Sequence, residues 1–151
     1  MSEVLTISLT AALTVLGGLF VLVVGRLTEK FLIEPIIRFR STVREVAYAL
    51  DFYANAYCNP STLMTEDLQL ASRELRHLAG QLRANSYELT TRPWIRLRAK
   101  LPTTQDIDEA SSNMIGLSNG LFAVHPDSIH DLIDANLKRV DAVRLKLSIR
   151  T

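Results

Sequence analysis

The stretch HPDSIHDLID, residues 125–134, combines two histidines with three aspartates, which are side chains that can hold a metal ion. His130 and Asp134 are four residues apart, so on a helix they share one face, and imidazole and carboxylate both bind divalent cations. In the simpler interpretation, Asp127 complements a helix N-terminus and His130 forms a surface pair with Asp134. No second histidine–carboxylate cluster completes a coordination shell, so we expect no metal.

A third histidine ends the segment RELRH, residues 73–77, which has helical periodicity. The segment is similar to the Arg-x4–6-His motif of HEPN-type RNases, which are helical bundles, and this likeness implies Arg73 and His77 as catalytic residues. It covers five residues of 151, and only three residues separate the arginine from the histidine, which departs from the motif. A solvated helix face accounts for the same residues. We therefore expect no enzyme and assign no catalytic residue.

The segment SSNMIGLSNG, residues 111–120, is unusually polar for a helix in the middle of a bundle. Buried asparagines usually fix register or oligomeric state, and they can also line a pocket for a small polar ligand. The candidate polar pocket consists of Asn113, Ser118 and Asn119. The sequence has no P-loop, dinucleotide-binding or zinc motif, so we expect no cofactor. The single cysteine, Cys58, has no evident base beside it and is predicted to be a half-buried structural thiol.

The segment TTRPWIRLRAKLPT, residues 90–103, contains the only tryptophan and four cationic side chains. Three interpretations remain open: contact with the membrane surface, a crossover whose tryptophan fills the bundle core, and a site for a small anionic ligand. The membrane-surface or anionic-ligand contact would be made by Arg92, Trp94, Arg96, Arg98 and Lys100.

The elements that carry these side chains are predicted to be helices, because apolar residues recur at steps of three and four after residue 35. The first such series runs through Ile36, Phe39, Val43, Val46, Leu50, Tyr53 and Tyr57 and ends at CNPST, residues 58–62. Further helices are predicted to begin near Thr65, after an N-cap at Thr104, and at Pro126 or Asp127, the last with Leu137, Val140 and Val143 facing inward. Pro35 is expected to kink or restart the chain before them.

The N-terminal segment from Val4 to Gly25 has 22 residues without a charge. As a helix it is about 33 Å long, against a bilayer core of about 30 Å. A cleaved signal would have a basic leader, a shorter apolar run and a small-x-small cleavage site, and this segment has none of them. We predict an all-α protein with a short tail at 1–3, a transmembrane helix at 4–25, a juxtamembrane helix or linker at 26–35 and a cytosolic bundle of about four helices at 36–151.

Basic residues near the span predict its orientation, because cytoplasmic flanks are enriched in lysine and arginine. No lysine or arginine precedes the span, and five follow it: Arg26, Lys30, Arg38, Arg40 and Arg44. We therefore expect a single-pass protein of the inner, cytoplasmic membrane with its N-terminus outside and its C-terminal domain in the cytoplasm. The net charge of +1 gives no strong signal for nucleic acid.

Small residues recur along one side of the span, and they form the predicted association face: Thr6, Thr10, Thr14, Gly18 and Gly25. Helices in lipid gain little from apolar contact with each other, so they associate where small residues allow close approach. We predict a homo-oligomer. A dimer would bury the threonines, whereas a larger ring would let their hydroxyls line a narrow aqueous path. The span has no charged residue that would mark an ion route, which favours a dry contact.

The sequence therefore favours a non-enzymatic membrane effector or sensor whose partners are the lipid bilayer, further copies of itself, and an unknown cytosolic protein or small anionic ligand. Its layout, a short span with a small cytosolic domain, resembles the membrane effectors of bacterial anti-phage systems, which implies membrane perturbation or a pore. That resemblance is one of architecture and not of motif. The alternatives are a passive anchored adaptor that recruits a cytosolic partner and, third, a membrane-tethered HEPN-like RNase.

Overall fold

The computed structural model describes residues 2–59, 64–90, 97, 99–122 and 129–149, and this part of the chain is helical and contains no strand. The elements are α1 (Ser2–Thr28), a π-helical segment (Glu29–Ile33), α2 (Glu34–Phe52), α3 (Ala54–Cys58), α4 (Thr65–Thr90), α5 (Thr104–Gly120) and α6 (Ile129–Lys146). The all-α prediction is confirmed, with one long apolar N-terminal helix followed by a helical bundle. The chain forms two compact units, Met1–Ile36 and Ile37–Thr151.

The first unit consists mainly of α1, which is long and apolar enough to cross a membrane. Its large apolar side chains are exposed, and Leu13 and Phe20, for example, are 61% and 69% exposed. Taking one such side chain fully out of water is worth about 1.5–3 kcal/mol. Transfer of this helix into an apolar surrounding is therefore strongly favoured.

The π-helical turn at Glu29–Ile33 is explained by Pro35, which follows it closely. Proline has no N–H, and its ring would clash with the carbonyl group four residues earlier, that of Phe31. In the π turn the Glu34 N–H reaches back to the Glu29 carbonyl oxygen, which widens the backbone at this point. The helix then continues as α2, so the disturbance expected at Pro35 takes the form of one wide turn.

The second unit is a bundle in which every long helix contributes an apolar side to the core. Its buried side chains include Phe39, Val46 and Leu50 of α2, Leu75, Leu78 and Leu82 of α4, Ile107, Met114 and Leu117 of α5, and Val140 and Val143 of α6. Helix α5 packs against both α4 and α6. The polar residues of α5 therefore lie between two neighbouring helices.

The helix ends differ in two places from the sequence prediction. The N-cap of α5 is Thr103 and not Thr104: the Thr103 hydroxyl accepts a hydrogen bond from the Asp106 N–H at 3.1 Å. The Asp106 carboxylate accepts in turn from the Thr103 N–H at 3.3 Å, which completes a capping box. The first predicted bundle helix is interrupted at Tyr53, which separates α2 from α3.

The inward side of α6 also differs from the prediction. Leu137 was expected to face the core but is 40% exposed, whereas its neighbour Asn136 is fully buried. The Asn136 amide nitrogen donates to the Tyr57 carbonyl oxygen at 3.3 Å, and its side-chain oxygen accepts from Arg139 at 3.2 Å. A buried amide is tolerated when it is hydrogen-bonded. The predicted entry of this helix, Pro126 or Asp127, lies outside the described residues.

Candidate functional site

All five residues of the predicted association face lie on α1 and are exposed. Thr10 Oγ1 donates to the Thr6 carbonyl oxygen at 2.8 Å, and Thr14 Oγ1 donates to the Thr10 carbonyl oxygen at 2.9 Å. Because these hydroxyl groups already donate hydrogen bonds within the helix, burying them in hydrocarbon leaves no donor unpaired. A shallow groove follows the same side of α1 from Thr6 to Val15.

The glycines of this face have no packing role among the residues that the structure describes. A Cβ atom added at Gly18 or Gly25 would meet nothing within 4 Å apart from its chain neighbours and the backbone of α1. Glycine in a helix interior costs about 0.5–1 kcal/mol relative to alanine. The chain's own packing therefore gives no reason for glycine here, whereas the close approach of a second helix would.

The basic segment predicted to touch membrane or an anionic ligand is described only in part. Arg92, Trp94, Arg96 and Arg98 lie outside the described residues, and the structure shows Lys100. Lys100 lines a groove of about 310 Å³ in the bundle together with two arginines of α2, Arg40 and Arg44. The other residues of this basic groove are Phe39, Val43, Ala99, Leu101, Pro102, Leu147 and Ser148.

The basic groove combines an apolar lining with unneutralised positive charge. None of the described residues that line it is acidic. Arg40 Nη2 donates to the Ala99 carbonyl oxygen at 3.1 Å, and within the described part of the chain none of the three cations pairs with a carboxylate.

Other cations of the bundle are paired with carboxylates, such as Arg144 with Asp51 at 2.6 Å and Arg38 with Glu88 at 3.7 Å. The groove thus concentrates a positive potential that attracts anions.

The backbone at two edges of the groove is in the left-handed region. Lys100 has φ 51° and Ser148 has φ 55°, and they are the two non-glycine residues with positive φ in the described part of the chain. At Ser148 this conformation ends α6 in a Schellman motif, in which the Ile149 N–H donates to the Arg144 carbonyl oxygen at 2.9 Å. At Lys100 it belongs to a turn in which the Lys100 N–H donates to the Leu97 carbonyl oxygen at 3.2 Å. Both of these residues line the basic groove.

An ion-pair cluster holds two walls of the groove in place. Lys146 Nζ lies 3.0 Å from Asp106 Oδ1 and 2.7 Å from Glu109 Oε2. Lys146 directly precedes the wall residue Leu147, and Asp106 opens α5 shortly after the wall residue Pro102. Hydrogen bonds from Thr103 and from Lys146 lower the pKa of Asp106. The hydrogen bond from Lys146 also lowers the pKa of Glu109, and the two carboxylates raise the pKa of Lys146.

These shifts predict a loss of stability in acid. A carboxyl whose pKa is lower in the folded state stabilises the fold above its unfolded pKa, about 4, and this contribution disappears as pH falls through the folded pKa. We expect the free energy of unfolding in urea to fall between pH 5 and pH 2 by more in the wild type than in Lys146→Met, which lacks the cluster. An identical acid dependence of the two proteins would contradict this assignment.

The predicted polar pocket is brought together in part. Arg76 of α4 donates from Nε to Ser118 Oγ at 2.9 Å and from Nη2 to Asn119 Oδ1 at 2.6 Å. Asn113 instead donates to the Glu109 carbonyl oxygen within its own helix at 2.9 Å. Ser118 and Asn119 thus join α4 to α5, which is a structural role. A ligand pocket at these residues stays a prediction.

A second contact between helices, the close approach of α5 and α6, was not found from the sequence. Gly116 and Gly120 are one turn apart on α5 and leave room for the side chains of Arg139 and Asn136. A Cβ atom at Gly120 would lie 2.5 Å from Asn136 Oδ1, and one at Gly116 would lie 3.0 Å from Arg139 Nε. The spacing of four residues between these glycines is the feature of the sequence that could have indicated this close approach.

Among the remaining chemical candidates, His77 and Arg73 have partners within their own helix, and two others lie outside the described residues. His77 is exposed, with a ring nitrogen 2.9 Å from Gln81 Nε2, and Arg73 Nε donates to the Gln69 carbonyl oxygen at 3.4 Å. His125 and Asp127 are not described, and the described residues hold no group of three or more potential metal ligands. Cys58 is a free, half-buried thiol.

Comparison of the chain with protein-family models, curated proteins and solved structures gave no match. Its function is therefore inferred from the α1 face and from the bundle.

Proposed function

We propose that this protein is a non-enzymatic membrane effector or sensor that self-associates through its transmembrane helix. Helix α1 crosses the cytoplasmic membrane once, and binding of a ligand or protein to the bundle alters the association of α1 between copies. The observation that carries the proposal is α1 itself. It is an exposed apolar helix of 27 residues, and among the described residues no other element packs against its glycines at positions 18 and 25.

The proposed orientation, with the bundle in the cytoplasm, is supported by charge. Arg26 and Lys30 directly follow the apolar run, and three more arginines follow by residue 44, whereas no lysine or arginine precedes the run. Positive flanks are retained on the cytoplasmic side. The inner-membrane location and the outside N-terminus are part of the same proposal.

The threonines of α1 bear on the form of the assembly. Because the hydroxyl protons of Thr10 and Thr14 are donated within the helix, the stripe can be buried in a dry contact between two copies. A ring of four or more copies would instead present the hydroxyl oxygens as acceptors along a narrow path, which suits water or a cation. A dimer would act on the membrane only through its bundle, whereas a ring would conduct water or ions.

A passive adaptor is the second candidate, and an aromatic surface favours it. Tyr48 and Phe52 of α2 are 67% and 63% exposed and stack at a centroid distance of 5.5 Å. Tyr53 packs edge-on against Phe52 at 5.0 Å. Exposed aromatic side chains are enriched where proteins bind each other. In this alternative the aromatic surface recruits a cytosolic protein and the span only tethers it.

The two candidates differ in what the protein does when expressed alone in bacteria. We expect an effector to depolarise the membrane and arrest growth, as followed by a potential-sensitive dye, and Tyr48→Ala/Phe52→Ala to leave this effect unchanged. An unaltered membrane potential at a level of expression confirmed in the membrane fraction would exclude a ring that conducts without a bound ligand, and would favour the adaptor.

A further inference from the structure

We propose that the basic groove binds the phosphate group of an anionic membrane lipid. The inference names the ligand of the bundle and rests on the proposed function, since it requires the groove to meet a bilayer. It is carried by three features of the groove: its cations, its apolar lining and its position in the chain after the span.

The cations match a phosphate group in charge and number. Arg40 and Arg44 lie one turn apart on α2, and Lys100 reaches the same groove from the segment before α5. Guanidinium groups bind phosphate oxygens in pairs, and an ammonium group adds a third, compact charge. None of these side chains pairs with a carboxylate in the described part of the chain, so a phosphate would displace no ion pair.

The lining of the groove favours a ligand with an apolar body. Val43, Leu101 and Pro102 are half-buried in this lining, and an inorganic phosphate would leave their exposed parts in contact with water. The glycerol and the first part of an acyl chain would cover these side chains, and removal of apolar surface from water drives such binding. An amphiphilic anion therefore fits the groove better than a free phosphate.

The position of the groove in the chain favours a lipid over a soluble amphiphile. Arg40 follows the last residue of α1, Thr28, by 12 residues (40 − 28 = 12). Even fully extended, these residues reach no more than about 43 Å. Once α1 is in a bilayer, Arg40 can therefore lie no farther than this from the end of the span, and the tether raises the effective concentration of headgroups at the groove.

Lys100 provides a variant that removes charge without weakening the fold. Its φ of 51° is unfavourable for lysine and ordinary for glycine. Lys100→Gly is therefore expected to melt at the same temperature as the wild type or higher and still to bind the lipid more weakly. Loss of binding in this variant cannot be ascribed to unfolding.

The test is native mass spectrometry of the full chain in a neutral detergent, with short-chain phosphatidylglycerol, short-chain phosphatidylcholine or inorganic phosphate added. We expect one phosphatidylglycerol per chain to bind saturably, and phosphatidylcholine to bind roughly tenfold more weakly because its own positive charge opposes the groove. Arg40→Gln/Arg44→Gln should weaken phosphatidylglycerol binding by about tenfold or more. The matched control Arg73→Gln/Lys138→Gln removes the same charge outside the groove and should bind as the wild type does.

Equal affinity for the two lipids, or equal lipid affinity in the groove variant and its control, would overturn the inference. Displacement of the lipid by inorganic phosphate at equal concentration would also overturn it, and would assign the groove to soluble phosphates. The outcome is separable from the proposed function: intact assembly without lipid binding defeats only this inference, whereas a monomer in the membrane that still binds lipid defeats only the assembly.

Discussion

Gly120→Ala is expected to destabilise the bundle by roughly 2–3 kcal/mol, the combined effect of overpacking and of disturbing a buried hydrogen bond. The new Cβ atom would lie 2.5 Å from Asn136 Oδ1, so one of the two groups has to move. Asn136 is fully buried and is tied to the Tyr57 carbonyl oxygen, so it cannot swing away without leaving a polar group unpaired. Gly120 has no positive φ, so the effect comes from this contact alone.

Gly80→Ala is the matched control for this substitution. Gly80 lies in the interior of α4, is exposed, and an added Cβ atom would meet nothing within 4 Å. Alanine at such a position is favoured over glycine by about 0.5–1 kcal/mol. Urea unfolding of the full chain in mild detergent should therefore move in opposite directions for the two variants. A shift of the same sign and size in both would show that Asn136 does not pack as described.

Thr10→Leu/Thr14→Leu/Gly18→Leu is expected to convert the membrane assembly to monomers. Small residues let two helix backbones approach closely in lipid, where van der Waals packing drives association. A loss of about 1.4 kcal/mol at each contact corresponds to a tenfold loss of affinity. Three leucines keep the helix apolar enough to span and hold the backbones apart. The loss of two or more contacts weakens association by about 100-fold.

The control for the α1 variant is Ser8→Leu/Ala12→Leu, which adds bulk elsewhere on the same helix. At about 100° per residue, positions 8 and 12 lie opposite the association face. We expect this control to associate as the wild type does, measured by cross-linking or by mass in nanodiscs. If both variants associate equally well, copies of α1 do not meet through the threonine and glycine side.

The apolar sides of the helices could be predicted from the sequence because their signal is local. The step of three and four that places Phe39, Val46 and Leu50 on one side of α2 is visible within one helix, and the structure buries all three. The charge-free run that forms α1 is likewise visible within one segment of the sequence. Periodicity predicts which side of a helix is apolar, and it does so without knowledge of the neighbouring helix.

The burial of the Asn136 side chain could not be predicted, because its hydrogen-bond partner is distant in sequence. The Tyr57 carbonyl oxygen that accepts from its amide lies 79 residues earlier, and without this bond a leucine at 137 is the better core residue. The Gly116–Gly120 pair hinted at a close approach but did not say which side chains would fill it. Polar contacts between helices depend on partners that periodicity does not identify.

The basic groove could not be predicted from the sequence, which indicated only one of its cations, Lys100, as a candidate contact for a membrane surface or an anionic ligand. Arg40 and Arg44 alternate with core residues on α2 and have the spacing of ordinary solvated positions. Their role depends on the segment before α5 folding back against α2, where Arg40 bonds to the Ala99 carbonyl oxygen across 59 residues of sequence. A cation's neighbours, and not its place in the sequence, decide whether it belongs to a binding site.

The mass of the intact wild-type complex in a lipid nanodisc tests most directly the central claim that α1 both anchors and assembles the protein. We predict two or more copies per nanodisc, with a dimer indicating a dry contact and four or more copies indicating a ring. A single copy per nanodisc, for the wild type as for Thr10→Leu/Thr14→Leu/Gly18→Leu at the same protein concentration, would contradict the claim.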